Sequence, residues 1–249
     1  MISTAEKSLL PSTENSSPEN SSPAIENYLK AIYKLHQAHG QVTTSLLAED
    51  LGFAPPSVTG MLQKLAKLDL VIYTPYQGVT LTDRGRCRAL EVLRHHRLLE
   101  LFLVQALGYS WEEVHADAEV LEHVISERLE ARIAAHLGHP TADPHGDPIP
   151  YPDGTLPLST SQPLAHLSLG ATGRITRVTD QHPDHLRYLA DQGLVPGAII
   201  TVRARALFDG PLTIGIGNTI HHLDIRMARS ILVQDIAATD DTTQSQEEV

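Results

Sequence analysis

The sequence predicts an α+β chain in which helices come first and short strands come last. Three observations predict it. Apolar residues recur at helical spacing from Ala24 to about Leu137, interrupted by a single hairpin signal. From Leu164 onward the pattern shortens to β runs separated by glycine turns. Between the two regimes, residues 140–163 are dense in Pro, Asp, Gly and Ser and read as a linker or an extended bridging loop. At 249 residues the chain has room for one large domain or two to three small ones.

The elements follow in order. Residues 1–23 are rich in Ser, Glu, Asn and Pro, the composition of a disordered leader. Ile25, Tyr28, Leu29, Ile32, Tyr33 and Leu35 mark one face of a helix ending near Gly40. Thr44 then caps a short helix, Ser45 to Leu51, stopped by Gly52. Ala54-Pro55-Pro56-Ser57 opens a third helix running to about Leu68, where proline costs little because first-turn amides lack partners anyway. Leu70–Tyr73 and Val79–Thr82 flank the turn residues Pro75-Tyr76-Gln77-Gly78, a hairpin signal. Helix, helix, turn, helix, hairpin is the order of a winged helix-turn-helix, here residues 24–91.

Three further helices are expected at about Asp83–Leu107, Ser110–Ala116 and Asp117–Leu137, which makes 92–139 an all-helical domain. Past the Pro-rich stretch come β runs at Gly173–Val178, Ile199–Ala206, Leu212–Ile216 and Ile231–Val233, with a helical patch at Asp184–Asp191. They imply a small β-barrel over 164–236, large enough to stand as a unit. The polar, acidic residues 237–249 are expected to fray.

Charge is distributed unevenly. The whole chain carries a formal −11, which argues against a general nucleic-acid coating protein. From Glu26 to Arg97, however, nine basic residues face six acidic ones, a local +3 that suits DNA. Cys87 is the only cysteine, so neither a disulfide framework nor a thiolate zinc site can form within one chain. No secretory signal opens the sequence and no apolar stretch is long enough to span a bilayer, so a cytoplasmic protein without membrane contact is expected.

Two groups of residues carry chemistry. The first is the Pro56–Leu68 helix. Ser57 and Thr59 stand at its start, where recognition helices meet base edges. Ala54, Pro56 and the Thr59 methyl suit thymine methyls, and Lys64 and Lys67 suit phosphates. A merely solvated surface helix would explain the same polar residues.

The second group is His96, Glu100, His115, Glu119, Glu122 and His123. His96/Glu100 and His115/Glu119 are four apart, and Glu119, Glu122 and His123 run i, i+3, i+4, so each stretch offers one helix face of imidazole and carboxylate. Seven of the fourteen histidines fall between His95 and His145, a concentration that weakens the reading of scattered surface residues. Imidazole with carboxylate favours Mn, Fe(II), Co, Ni or Zn over Cu(I), and the carboxylate share moves the expectation toward Mn(II) or Fe(II). His95 points about 100° away from His96 and is read as lying outside the set. Asp143 and His145, in Asp143-Pro144-His145-Gly146, can add an oxygen and an imidazole. His182, His185, His221 and His222 are read as surface residues.

These residues together carry a resemblance. Glu26-Asn27-Tyr28-Leu29-Lys30-Ala31-Ile32-Tyr33, the Ser57-Val58-Thr59 helix, His96-Arg97-Leu98-Leu99-Glu100 and Glu122-His123 resemble the diphtheria toxin repressor/manganese transport regulator family, over about Ala24 to Gln234. Its members are metal-activated, dimeric transcriptional repressors with a winged helix, a helical dimerisation and metal-binding domain and, often, an SH3-like (FeoA-type) barrel.

The resemblance implies a primary metal site of Asn27, Glu119, Glu122 and His123. Glu119 stands where iron-responsive members have cysteine and manganese-responsive members have glutamate. Asn27 replaces a methionine or aspartate, and Lys30 replaces a carboxylate of the manganese two-metal cluster, which counts against a cluster of that type. An ancillary site is implied from His96, Glu100 and His115, or from Glu100 with Asp143, His145 and Asp180. The sequence leaves both versions open.

The expected function is therefore repression of metal-uptake genes by a Mn(II)- or Fe(II)-loaded homodimer on a palindromic double-stranded DNA operator, with no small-molecule substrate and no catalysis. Two other classes of function fit the residues less well. A carboxylate-bridged di-iron enzyme needs ligands from four helices, whereas these cluster on two helices followed by strands. A metal-buffering adaptor without DNA would leave the Pro56–Lys67 helix unexplained.

Overall fold

The structure is a computed structural model and describes residues 22–236. The expectations for the leader and the acidic tail, apart from Ser22 and Pro23, fall outside those residues. Two compact units meet in the chain between Ala89 and Leu90.

The first unit begins with α1 (Pro23–His39), α2 (Thr44–Leu51) and α3 (Pro55–Lys67). Ser22 caps α1 by accepting from the Ile25 amide, and Thr43 caps α2 by accepting from the Leu46 amide. The cap of α2 is thus one residue earlier than the Thr44 expected, because Thr43 holds the extended backbone a cap needs. Ile25, Leu29 and Ile32 of α1, Leu47 of α2, and Val58, Leu62 and Leu65 of α3 are fully buried, so three apolar stripes make one core.

Strands β1 (Val71–Thr74) and β2 (Gly78–Leu81) pair antiparallel from Val71↔Leu81 to Thr74↔Gly78, and Val79 also bridges Val42. Gly78 sits at φ +117, and a Cβ there would stand 2.5 Å from the Val42 carbonyl oxygen, so only glycine closes this three-strand contact. The Thr82 hydroxyl donates to the Asp69 carbonyl and accepts from the Gly85 amide, starting α4 (Asp83–Leu107).

The second unit contains the rest of α4, then α5 (Val114–Leu121) and α6 (Glu127–His136). Here the structure corrects the expectation of helices at Ser110–Ala116 and Asp117–Leu137. Helix α5 runs through the expected break, and the long helix is interrupted at 122–126 instead. Ser126 is the reason: its side chain accepts from the Leu129 amide, a capping bond that requires extended backbone (φ −88, ψ 150). Leu98, Leu99, Leu101, Ala118, Ile133, Ala134 and Ile149 pack into one core.

Ile149 belongs to the Pro-rich stretch, which has no helix or strand between α6 and β3 but whose first half is anchored. Arg94 donates to the Pro150 carbonyl at 2.7 Å and Arg97 to the Pro148 carbonyl at 2.5 Å. Six strands follow: β3 (Gln162–Pro163), β4 (Thr172–Val178), β5 (Ile199–Arg205), β6 (Leu212–Ile216), β7 (Thr219–Leu223) and β8 (Ile231–Ile236). They form one antiparallel sheet in the order β3-β8-β4-β5-β6-β7. Bulges between Ile175 and Arg177 and between Val202 and Ala204 bend it. Helices α7 (Pro183–Asp191) and α8 (Ile225–Ser230) complete its core, in which Trp111 also packs. Strands β3 and β7 and helix α8 were not foreseen; each is short, and Thr219–Leu223 carries only one buried residue.

Candidate metal centre

Helix α4 sets His96 and Glu100 one turn apart on a buried face, and α5 brings His115 and Glu119 against them. His96 Nε2 lies 3.0 Å from Glu100 Oε1 and 3.1 Å from His115 Nδ1, and His115 Nδ1 lies 3.1 Å from the same Glu100 oxygen. Three donors thus make a nearly equilateral triangle. Neighbouring ligands on an octahedral ion with bonds of ~2.1 Å stand ~3.0 Å apart, whereas tetrahedral zinc spreads them to ~3.3 Å. The triangle fits one face of a six-coordinate ion.

The other nitrogen of His96 faces the opposite way. Nδ1 lies 2.5 Å from Glu122 Oε2 and 3.6 Å from Glu119 Oε2. Glu122 caps the end of α5 with its side chain fully buried, and His123 Nε2 is 3.4 Å from Glu122 Oε1. The two expected ligand sets are therefore not separate, because one imidazole touches both.

Glu100 plays the same double part. Its Oε2 faces His145 Nδ1 at 3.7 Å, and Glu100, Asp143 and His145 lie within mutual reach of one ion. His145 Nε2 donates to the Trp111 carbonyl at 2.7 Å, so in the neutral ring Nδ1 carries the lone pair and is aimed at the carboxylates. The loop that delivers it depends on Gly146. Its φ is +86, and a Cβ would stand 1.9 Å from the Thr176 carbonyl oxygen, while Val178 donates its amide to the His145 carbonyl. Asp143 Oδ1 accepts from the His145 and Asp147 amides, whereas its Oδ2 is buried without a hydrogen-bond partner.

Electrostatics shows how the charges of this cluster balance. Burial works against charge on His145, but Glu100 and Asp143 outweigh it and hold the imidazole up at about 9. His96 is likewise raised, burial being overcome by Glu100 and Glu122. Burial also opposes a charged Glu100, yet His115, His145 and His96 keep its carboxyl well below the usual range. Asp143 is pushed up to about 7 by burial and by the negative charges of Asp147 and Glu100. Protons on imidazoles thus hold buried carboxylates together, a task a divalent cation does with fewer groups. Carboxylate and imidazole donors, a buried carboxylate oxygen that makes no hydrogen bond and the absence of thiolate fit a first-row divalent ion, Cys87 being exposed.

Among the remaining expected residues, Asn27 lies on α1 with Oδ1 buried and without a hydrogen-bond partner. Asp180 is half-exposed and engages His185 at 2.6 Å, in none of the ligand-like clusters of the described residues. Around α3, Ala54, Pro56, Ser57, Lys64 and Lys67 are exposed, and the Thr59 hydroxyl donates to the Pro55 carbonyl at 3.0 Å. Because Pro55 and Pro56 remove two amide donors, anion contacts at this end must come from side chains. The sequence reading missed His145's tie to Trp111, which no spacing announces.

Known domains match along most of the chain. Residues 21–79 match the iron dependent repressor N-terminal DNA binding domain, 82–151 the iron dependent repressor metal binding and dimerisation domain, and 162–235 the FeoA domain. The iron-dependent repressor IdeR of Mycobacterium tuberculosis (strain ATCC 25618 / H37Rv) is 32% identical over 224 residues, 85% of this chain and 96% of the relative. The chain belongs to the diphtheria toxin repressor/manganese transport regulator family. It is a metal-dependent transcriptional repressor with a helix-turn-helix domain, a helical dimerisation domain and an SH3-like FeoA domain. The regulator MntR of Bacillus subtilis (strain 168) is 38% identical over 104 residues, 42% of this chain and 72% of the relative. A solved manganese-dependent transcriptional repressor in complex with manganese superposes with a TM-score of 0.78 at 41% identity, covering 85% of this chain and all of that one. Members of this family bind DNA and dimerise. No helix among the described residues is long and apolar enough to cross a membrane.

Proposed function

We propose that the chain is a Mn(II)-responsive homodimeric repressor of metal-uptake genes that reads a palindromic operator in the cytoplasm. The observation that carries this reading is the His96–Glu100–His115 triangle beside Glu119 and Glu122: six-coordinate spacing, hard donors and no sulfur. Glutamate at position 119, where the resemblance puts cysteine in iron-responsive members, supports Mn(II), with Fe(II) the second candidate. Asn27 remains part of the reading because its Oδ1 is a buried acceptor without a hydrogen bond. The two versions of the ancillary set meet at Glu100, through His96 and His115 on one oxygen and Asp143 and His145 on the other, whereas Asp180 pairs with His185 and stands outside both groups.

A divalent ion would supply two positive charges to this cluster. The chain's own residues do the rest. Ser57 and Thr59 meet base edges and Lys64 and Lys67 meet phosphates. Val120, Leu121, Val124 and Leu129 are exposed on and around α5 and α6 and offer apolar surface to a second copy. Two recognition helices read two half-sites only when ~34 Å, or a multiple, apart. Loading favours that spacing by no more than the difference in affinity between the two arrangements.

The test is selection of duplexes from a random pool with Mn(II) present, followed by affinity measurements across buffered free Mn(II), Fe(II), Co(II) and Zn(II). A palindromic consensus bound tightest with Mn(II) is expected. Equal affinity in the presence of a chelator overturns the reading.

A further inference from the structure

We infer that Glu91, His95 and Glu127 form a separate divalent-cation site on a face of α4 turned about 100° from that of His96. Glu91 and His95 are one turn apart on α4, and Glu127 opens α6. One donor atom from each lies within 4.8 Å of the others, the spacing a single ion needs. Glu130, one turn along α6, brings Oε2 to 3.7 Å from His95 Nε2, and Glu127 brings Oε1 to 3.5 Å.

The independent observation is the state of His95. Its side chain is only 8% exposed, and Nε2 is buried without a hydrogen-bond partner. Nδ1 lies 3.3 Å from the backbone carbonyl of Glu122 and donates to it. That bond sets the tautomer and leaves the Nε2 lone pair facing the carboxylates, the way metal-binding histidines are oriented. A histidine placed only to fill space has no need of acidic groups from two helices around its open nitrogen.

The ligand class is a first-row divalent ion, for which one imidazole and two carboxylates are suitable donors. Glu127 is exposed and Glu130 shares its other oxygen with Arg94 at 2.7 Å, so the site holds an ion less tightly than the buried His96 cluster. It also touches the His96 cluster by one bond. His95 holds the Glu122 carbonyl while the Glu122 carboxylate faces His96, so occupancy at one place stiffens the other.

The experiment counts Mn(II) bound per chain by the loss of its free electron paramagnetic resonance signal, on the full chain at saturating metal. Glu127→Ala, at an exposed position, and His95→Gln are each expected to bind one ion fewer than the wild type, with unchanged circular dichroism. His96→Ala is expected to lose ions of its own while the Glu127-dependent ion persists. If Glu127→Ala and His95→Gln both keep the wild-type count, the pair is a structural ion pair and the site is overturned. If the ion they lose is one already lost in His96→Ala, a separate site is likewise overturned.

Discussion

His96 Nδ1 lies 2.5 Å from Glu122 Oε2 while His96 Nε2 lies 3.0 Å from Glu100 Oε1, so one buried ring joins both candidate ligand sets. Metal binding at either set must therefore act on the proton and position of the same imidazole.

Removing Glu122 is the sharpest test of that link. Glu122→Ala and His123→Ala are expected to abolish Mn(II)-dependent operator binding while the helical circular dichroism persists. The loss in metal affinity should exceed the ~10–100-fold that deleting a mere supporting group costs. An unchanged metal-dependent shift in a gel titration would remove Glu122 and His123 from the site.

Proton release gives a second test. In the metal-free chain His145 keeps its proton up to about 9, from an ordinary value of 6.5, and His96 is raised as well. A raised value means that this contribution to stability is full below pH 6.5 and is lost as pH rises through about 9. Metal must displace those protons, so Mn(II) affinity should climb between these limits. Calorimetry at pH 7.5 in two buffers of different ionisation heat should show protons released on binding. No buffer dependence would contradict the assignment of both rings as ligands.

DNA contacts separate from metal contacts. Lys64→Ala should weaken binding to every sequence alike and reduce the slope of log affinity against log salt by ~1. Ser57→Ala should relax sequence preference, and both variants should bind Mn(II) as the wild type does. A fall in metal affinity in either would break the proposed division of labour.

Gly146 links the sheet to the site. Gly146→Ala combines a positive φ with a Cβ placed 1.9 Å from the Thr176 oxygen, so the loop carrying Asp143 and His145 must shift. A destabilisation of ~1–3 kcal/mol is expected from the backbone strain alone. Thermal unfolding should show it, together with weaker metal binding. Wild-type stability would mean that the loop yields without cost.

Much of this was legible in the chain because it is local. The stripe His96/Glu100 and its partner His115/Glu119 follow from one helical turn, and the glycine-bounded runs at 173–178 and 199–206 follow from alternation. The break at 122–126 was harder to see, since the apolar pattern continues across it and only Ser126 followed by Glu127 and Glu130 marks a cap. Asp143 and His145 gave a weak signal because Asp-Pro and His-Gly occur in ordinary loops. Their burial depends on Arg97, Trp111 and β4, all distant in the chain.

The sequence by itself determined the order of the elements, the types of donor atom and the face of α4 on which His96 and Glu100 stand, because periodicity acts within a few residues. Only the tertiary structure decided which donors come within reach of one another. His96 turns one nitrogen to each ligand set, Glu100 one oxygen to each side, and His95 faces acids from another helix. Such choices depend on how helices and a glycine-pinned loop pack at distances of a few ångströms, and spacing along the chain carries no record of that.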